Sequence, residues 1–239
     1  ECEGAFEIMI RLLKKTAVLA AGLSVLIASQ ALALSPVETP YFKKMIAKGK
    51  IPPVAERLPA EPQVVKFSGE RSIGQHGGNI RTLIGRSKDV RYLVVWGYAR
   101  LMGYDHNFEM NADILKEYKV EDGRVFTFTL RKGHKWSNGD AFTSEDFRYW
   151  WEDVANNKDI SPSGPPVVML AEGKLPTFEV LDEVTVRFTW ETPNPFFLSR
   201  LAGASPLFVY RPSAYLKKFH AKYTDEAALN KKAKTEGQR

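Results

Sequence analysis

The chain has 239 residues, 44% of them hydrophobic and 26% charged, which is material for one large domain or two small ones at about 100 to 200 residues each. Its net charge of +6 is divided between an early group, Lys43, Lys44, Lys48 and Lys50, and a late one, Lys217, Lys218, Lys231, Lys232 and Lys234. No Arg-rich stripe or RNA-binding motif accompanies them, so nucleic acid is not expected as a partner.

Cys2 is the single cysteine. It leaves no internal disulfide and no thiolate zinc site, and the four scattered histidines form no ligand cluster, so no metal or cofactor is expected. Residues 1–8 are acidic and precede Met9, the expected natural start. From there Arg11, Lys14 and Lys15 form a positive n-region, residues 17–28 an apolar h-region, and Ala31-Leu32-Ala33 a cleavage site before Leu34. The apolar run is shorter than the about 20 residues of a membrane-spanning helix, so an export signal over 9–33 is expected in preference to an anchor. No cysteine follows that could carry a lipid, which points to a soluble exported protein.

Residues 34–62 are rich in proline and charge and read as an extended arm, with one short helix at 41–49. Residues 74–78, GQHGG, lack the spacing of a phosphate-binding glycine loop and precede a strand where that motif should follow one. The strand is expected at 80–84, then a polar loop at 85–89 and an apolar, aromatic segment at 92–104 that reads as a helix with Trp96, Ala99 and Arg100 on one face. Glu121-Asp122-Gly123 is a hairpin turn into the next strand.

Residues 126–147, FTFTLRKGHKWSNGDAFTSEDF, carry three signals in succession. Phe126, Phe128 and Leu130 alternate with Thr127 and Thr129, the period of a half-buried strand. Asn138-Gly139 marks a tight reversal after Trp136. Thr143 is an N-cap, Glu145 and Asp146 supply first-turn acids, and Thr-x-x-Asp approximates a capping box. Phe147, Trp150, Trp151 and Val154 then recur at helical spacing as one apolar face. Beyond a loop at 161–166, residues 177–190 read as a second hairpin turning at Asp182-Glu183. Asn194 and Pro195 fit the start of a helix through Leu201, residues 207–210 a strand and residues 212–219 a helix. The remaining polar residues offer no core-forming element, and the chain is expected to stop within a domain.

No catalytic constellation emerges. There is neither GxSxG nor HExxH. His134, Ser137 and Asp140 lie close in sequence, but across a turn, and are expected as surface turn residues and not as a triad. Glu145 and Asp146 are better explained by the helix start than as an acid/base pair. Trp96, Tyr98, Tyr104, Trp136, Trp150, Trp151 and Trp190 could stack on sugars or line a peptide cleft, although strand and helix spacing assigns most of them to a core.

The segment 126–147 resembles the signature of the family 5 extracellular solute-binding proteins, the dipeptide and oligopeptide receptors of ABC importers. There a Phe-x-Leu-Arg strand, a Lys-Trp-Ser-x-Gly turn and a Thr-x-x-Asp helix start follow in this order. Residues 49–65, 76–81 and 181–203 are similar to flanking parts of the same family. The resemblance implies a mixed α/β fold of the type II periplasmic binding protein kind: lobe I segments at 63–88 and 194–239, a small α+β domain inserted at 89–193, and a second lobe that this chain is too short to contain. It also implies a monomeric, non-enzymatic periplasmic receptor that captures a peptide-like solute, or in the nearest alternative an oligosaccharide, and passes it to an inner-membrane ABC permease. A secreted hydrolase is the rival from another class. Candidate ligand contacts carried over from the family are Gly85, Arg86, Ser87, Lys88 and Asp89, and Gly203, Ala204 and Ser205. Arg131, Trp136, Gly139 and Asp146 are expected to be scaffolding.

Overall fold

Residues 36–62 hold six prolines, and their short helical elements contain no buried residue. The computed structural model describes residues 36–97, 99–203 and 205–235, without the side chains of Val94, Val95 and Trp96. The expected export signal and its cleavage point therefore lie outside the described residues, as do Tyr98 and Ala204. Of the two compact units, Glu1–Val37 and Glu38–Arg239, every element below belongs to the second.

A 3-10 turn at Pro40–Phe42 leads into α1 (Lys43–Ala47), and α2 (Val54–Arg57) follows. Glu38 closes this stretch, accepting from Arg57 Nη2 at 2.6 Å and from Val54 N at 3.0 Å. Residues 63–86 then run without regular structure. The strand expected at 80–84 does not form, and Ile80 and Leu83 are 98% and 100% exposed. Apolar residues can make a strand only where a neighbouring strand accepts their backbone groups, and none does so here. A 3-10 turn at Ser87–Arg91 opens α3 (Tyr92–Gly97). The helix stops well short of residue 104, because the chain extends into β1 (Met102–Tyr104) to pair with β2 (Met110–Ala112).

The centre of the molecule is an antiparallel sheet of β3 (Leu115–Glu121), β4 (Val125–Leu130), β5 (Thr177–Val180) and β6 (Thr185–Thr189), in the order β3-β4-β6-β5. Both hairpins fall where the sequence places them. At the first turn Asp122 and Gly123 have φ of 52° and 64°, the left-handed pair that matches strand twist, and Asp-Gly tolerates it. Phe126 faces Phe188 and Phe128 faces Val186 across β4 and β6. All four are buried together with Leu130 and Trp190, each large side chain contributing about 2 to 3 kcal/mol of hydrophobic stabilisation.

Against this face lie α4 (Ser144–Arg148) and a π-helical turn at Tyr149–Ala155, the latter marked by Asn156 N donating to Trp151 O. Thr143 caps α4 as expected: its Oγ1 accepts from Glu145 N, and Asp146 Oδ2 accepts from Thr143 N at 3.0 Å. Phe147 and Trp150 are buried, while Trp151 and Val154 are half-buried against the same core. The wider π turn rotates the later positions of the predicted face outward.

α5 (Phe197–Ala202) begins three residues after the expected cap. Asn194 instead shapes the approach, accepting from Phe196 N and donating to Val168 O at 3.0 Å. Phe197 packs at 4.8 Å from Trp190 and 5.2 Å from Phe126, ring centre to ring centre, so the core runs unbroken across residues 193 and 194. Residues 207–210 are extended, with Val209 and Tyr210 buried, but they pair with no strand, which corrects the predicted one: side-chain burial holds them, not a ladder. α6 (Ser213–Leu216) continues as a 3-10 turn at Lys217–Phe219, in keeping with the predicted helix, and α7 (Glu226–Thr235) is polar with no buried residue. Buried Asp153 anchors this end of the chain, accepting from Lys222 Nζ at 2.6 Å, Tyr223 Oη at 2.7 Å and Arg148 Nη2 at 3.0 Å.

Candidate functional site

Asp146 organises the concave part of the surface. Its side chain is 1% exposed and accepts from Trp136 Nε1 at 3.0 Å, Thr143 N at 3.0 Å and Ser213 N at 2.8 Å. Its carbonyl accepts from Arg211 N at 3.1 Å. One residue thereby joins the loop after β4, the start of α4 and the extended segment before α6. The loop is itself fixed by Trp136 N donating to Asp140 O at 2.8 Å and by Gly139, whose φ of 91° only glycine adopts readily.

Between the joined segments is a cavity of about 380 Å³, lined by His134, Trp136, Phe142, Tyr210, Arg211 and Pro212 among others. Phe142 meets Trp136 edge-on at 5.3 Å and Tyr210 edge-on at 5.1 Å, so the wall is a rigid aromatic cluster. Its polar groups are incompletely used. His134 Nδ1 is buried with no hydrogen-bond partner among the described residues. Burial, reinforced by the charge of Arg131, holds the His134 imidazole below its ordinary value despite an opposing effect from Asp113, so it is neutral near pH 7. Burial pushes the Tyr210 hydroxyl up to about 12, keeping it a proton donor. Arg211 is lowered by burial, but a guanidinium stays charged.

The residues selected from sequence lie elsewhere. Gly85, Arg86, Ser87 and Lys88 are exposed; Asp89 is buried and accepts from Arg86 N at 3.0 Å. Gly203 is half-buried at the end of α5, and Ser205 is exposed. No hydrogen bond joins the two groups among the described residues, and none of these residues lines the cavity. No hydrogen bond links His134 to Ser137 or Asp140 either; Asp140 pairs with Asn138 at 2.7 Å. Glu145 is taken up by Arg148 at 2.7 Å and Lys217 at 2.6 Å. Trp136, Trp150, Trp151 and Trp190 pack in or against the core, whereas Tyr104 is exposed. Tyr210 and Arg211 were not singled out by sequence, where the only trace was their place in an apolar run followed by proline.

Comparison with known proteins places these features in context. Residues 109–237 match the family described as bacterial extracellular solute-binding proteins, family 5 Middle. The chain is 33% identical over 202 residues to a periplasmic alpha-galactoside-binding protein of Rhizobium meliloti (strain 1021), covering 76% of this chain and 29% of the relative. It is 30% identical over 123 residues to the periplasmic oligopeptide-binding protein OppA of Escherichia coli (strain K12), covering 46% of this chain and 22% of the relative. A solved structure of an oligopeptide-binding protein OppA superposes with a TM-score of 0.69 at 33% identity, covering 84% of this chain and 31% of that one. The chain thus spans less than a third of the length of each of these proteins.

Proposed function

The chain belongs to the bacterial extracellular solute-binding proteins of family 5, and on that premise we propose that it forms part of a periplasmic receptor that captures a peptide-like solute and delivers it to an inner-membrane ABC permease. The observation that carries this reading is the family match over 109–237, which contains the strand, turn and capped helix of 126–147. The receptor acts as a monomer and without catalysis. Binding by such a protein needs a concave, largely preformed surface with a few placed polar groups, and the aromatic cavity beside Asp146 has that form. Gly85 to Asp89 and Gly203 to Ser205 remain part of the proposal as ligand contacts.

A second reading, an oligosaccharide solute, is favoured by the alpha-galactoside-binding relative, whose likeness extends over 76% of this chain. Calorimetric titration of the protein that carries this chain, against short peptides and against alpha-galactosides, separates the two. Saturable binding of peptides alone is the expected result. Binding of alpha-galactosides alone replaces it with the second reading, and no binding in either panel overturns the receptor function.

A further inference from the structure

Residues 215–235 concentrate charge of one sign. They hold six lysines, Lys217, Lys218, Lys222, Lys231, Lys232 and Lys234, against two acids, Asp225 and Glu226, and none of these residues lines the cavity beside Asp146. Both acids are taken up at the start of α7. Asp225 Oδ1 accepts from Ala228 N at 2.9 Å, and Glu226 lies in the first turn, where the helix dipole favours an anion. Lys217 and Lys222 are used internally, held by Glu145 and by buried Asp153, each at 2.6 Å. The other four lysines have no ion pair among the described residues.

The fold brings those four together. Lys232 Nζ donates to Lys218 O and stands 4.8 Å from the centre of the Phe219 ring, so α7 lies back against the turn at Lys217–Phe219. Tyr215 and Phe219 are exposed beside them, their rings 5.3 Å apart, and α7 buries none of its ten residues. A single small anion is held by a few convergent donors in a concavity. Here the cations are exposed point charges on flexible stems, spread along a turn and a helix, which suits an extended anionic surface. Arginine, whose fork grips single phosphates and nucleic acid, is absent from 215–235. Exposed aromatic rings among lysines match a lipid interface, where the rings sit at headgroup level and the ammonium groups meet phosphate.

We propose that the surface formed by Tyr215, Lys218, Phe219, Lys231, Lys232 and Lys234 docks the protein reversibly on a bilayer that contains anionic phospholipid. For a receptor that delivers solute to a permease, such docking confines the search to the plane of the membrane. The surface does not depend on which solute is carried.

The test is co-sedimentation of the protein that carries this chain with vesicles of equal parts phosphatidylcholine and phosphatidylglycerol, and with vesicles of phosphatidylcholine alone. At low ionic strength, partition onto the mixed vesicles is expected to exceed that onto the neutral ones at least about tenfold, and to fall as added salt shortens the range of the attraction. Lys231→Glu combined with Lys234→Glu should lower partition at least about tenfold. Lys43→Glu combined with Lys44→Glu makes the same change in net charge on exposed residues of α1 and should leave partition within about twofold. Tyr215→Ala should lower it about threefold. Thermal melts establish that each variant is folded, and Lys231→Gln with Lys234→Gln serves where the reversal is not tolerated. Equal partition onto mixed and neutral vesicles overturns the proposal, as does a loss at Lys43 and Lys44 as large as that at Lys231 and Lys234. Should the mixed vesicles be refused while soluble polyglutamate is bound through the same lysines, the occupant is an acidic protein and the lipid assignment falls. Solute calorimetry decides the receptor reading separately, so the failure of one is distinct from the failure of the other.

Discussion

In β4 the residues Phe126, Phe128 and Leu130 are 2%, 0% and 1% exposed, because β3 and β6 take up both edges of the strand and α4 and α5 cover the face to which these side chains point. In residues 79–84 the apolar residues Ile80 and Leu83 stand almost wholly in solvent, and their backbone joins no ladder. The two segments have similar apolar content and chain length. What separates them is what flanks them: a strand is stabilised by its neighbours on either side, and apolar side chains gain nothing from a face that is not covered.

The contrast is most directly broken at the sheet. Phe188→Ala removes a fully buried ring from the centre of the aromatic cluster and is expected to cost about 3 to 5 kcal/mol, read as a lowered urea midpoint. Asp146→Ala leaves Trp136 Nε1, Thr143 N and Ser213 N without their acceptor. A loss of about 2 to 4 kcal/mol is expected, accompanied by a shifted Trp136 indole resonance because the pocket wall is released.

Asp153 tests the attachment of the C-terminal segment. Burial works against its charge, but hydrogen bonds from Lys222, Tyr223 and Arg148 outweigh that effect and hold the carboxyl below its ordinary range. Glu145 is held low by Arg148, against an opposing burial effect, with Lys217 assisting. A lowered folded-state pKa gives stabilisation that is complete above the unfolded value and is lost as pH falls through the folded one. The carboxylate contribution to the urea midpoint should therefore be complete above about pH 5 and drop away below about pH 4, on top of a gentler decline that begins near pH 6.5, where the imidazole of His134 protonates in the unfolded chain before it does in the folded one. Asp153→Asn should cost about 2 kcal/mol at neutral pH and make that drop shallower. At the other extreme, Leu83→Ala should change stability by no more than about 0.5 kcal/mol. A larger loss would mean that residues 79–84 are covered after all.

Local signals were legible wherever the partner lay close in sequence. The turns at 121–124 and 181–184 carry their own hairpins, and Thr143 with Asp146 writes the cap of α4 within four residues. The strands expected at 80–84 and 207–210 depended on partners that sequence does not name, and the helix expected over 92–104 ended early because Met102–Tyr104 pairs with Met110–Ala112. The π turn after Arg148 has no propensity signature; all four residues of the predicted apolar face still pack in or against the core, Trp151 and Val154 being only half-buried there. Asp146 was read as a helix-start residue, which it is, but its bonds to Trp136 and Ser213 span 10 and 67 positions. For the same reason the cavity was not foreseen, since His134 and Arg211 meet only through the fold.

The central claim is that the aromatic stretch from 126 is scaffold in its strand, and that solute is met at the cavity reached through its turn. Amide hydrogen exchange of the protein that carries this chain, with and without a saturating short peptide, tests it most directly. Added protection is expected at 134–136 and 207–212 with no change along 126–130. Protection gained only at 85–89, or along β4 itself, would contradict it.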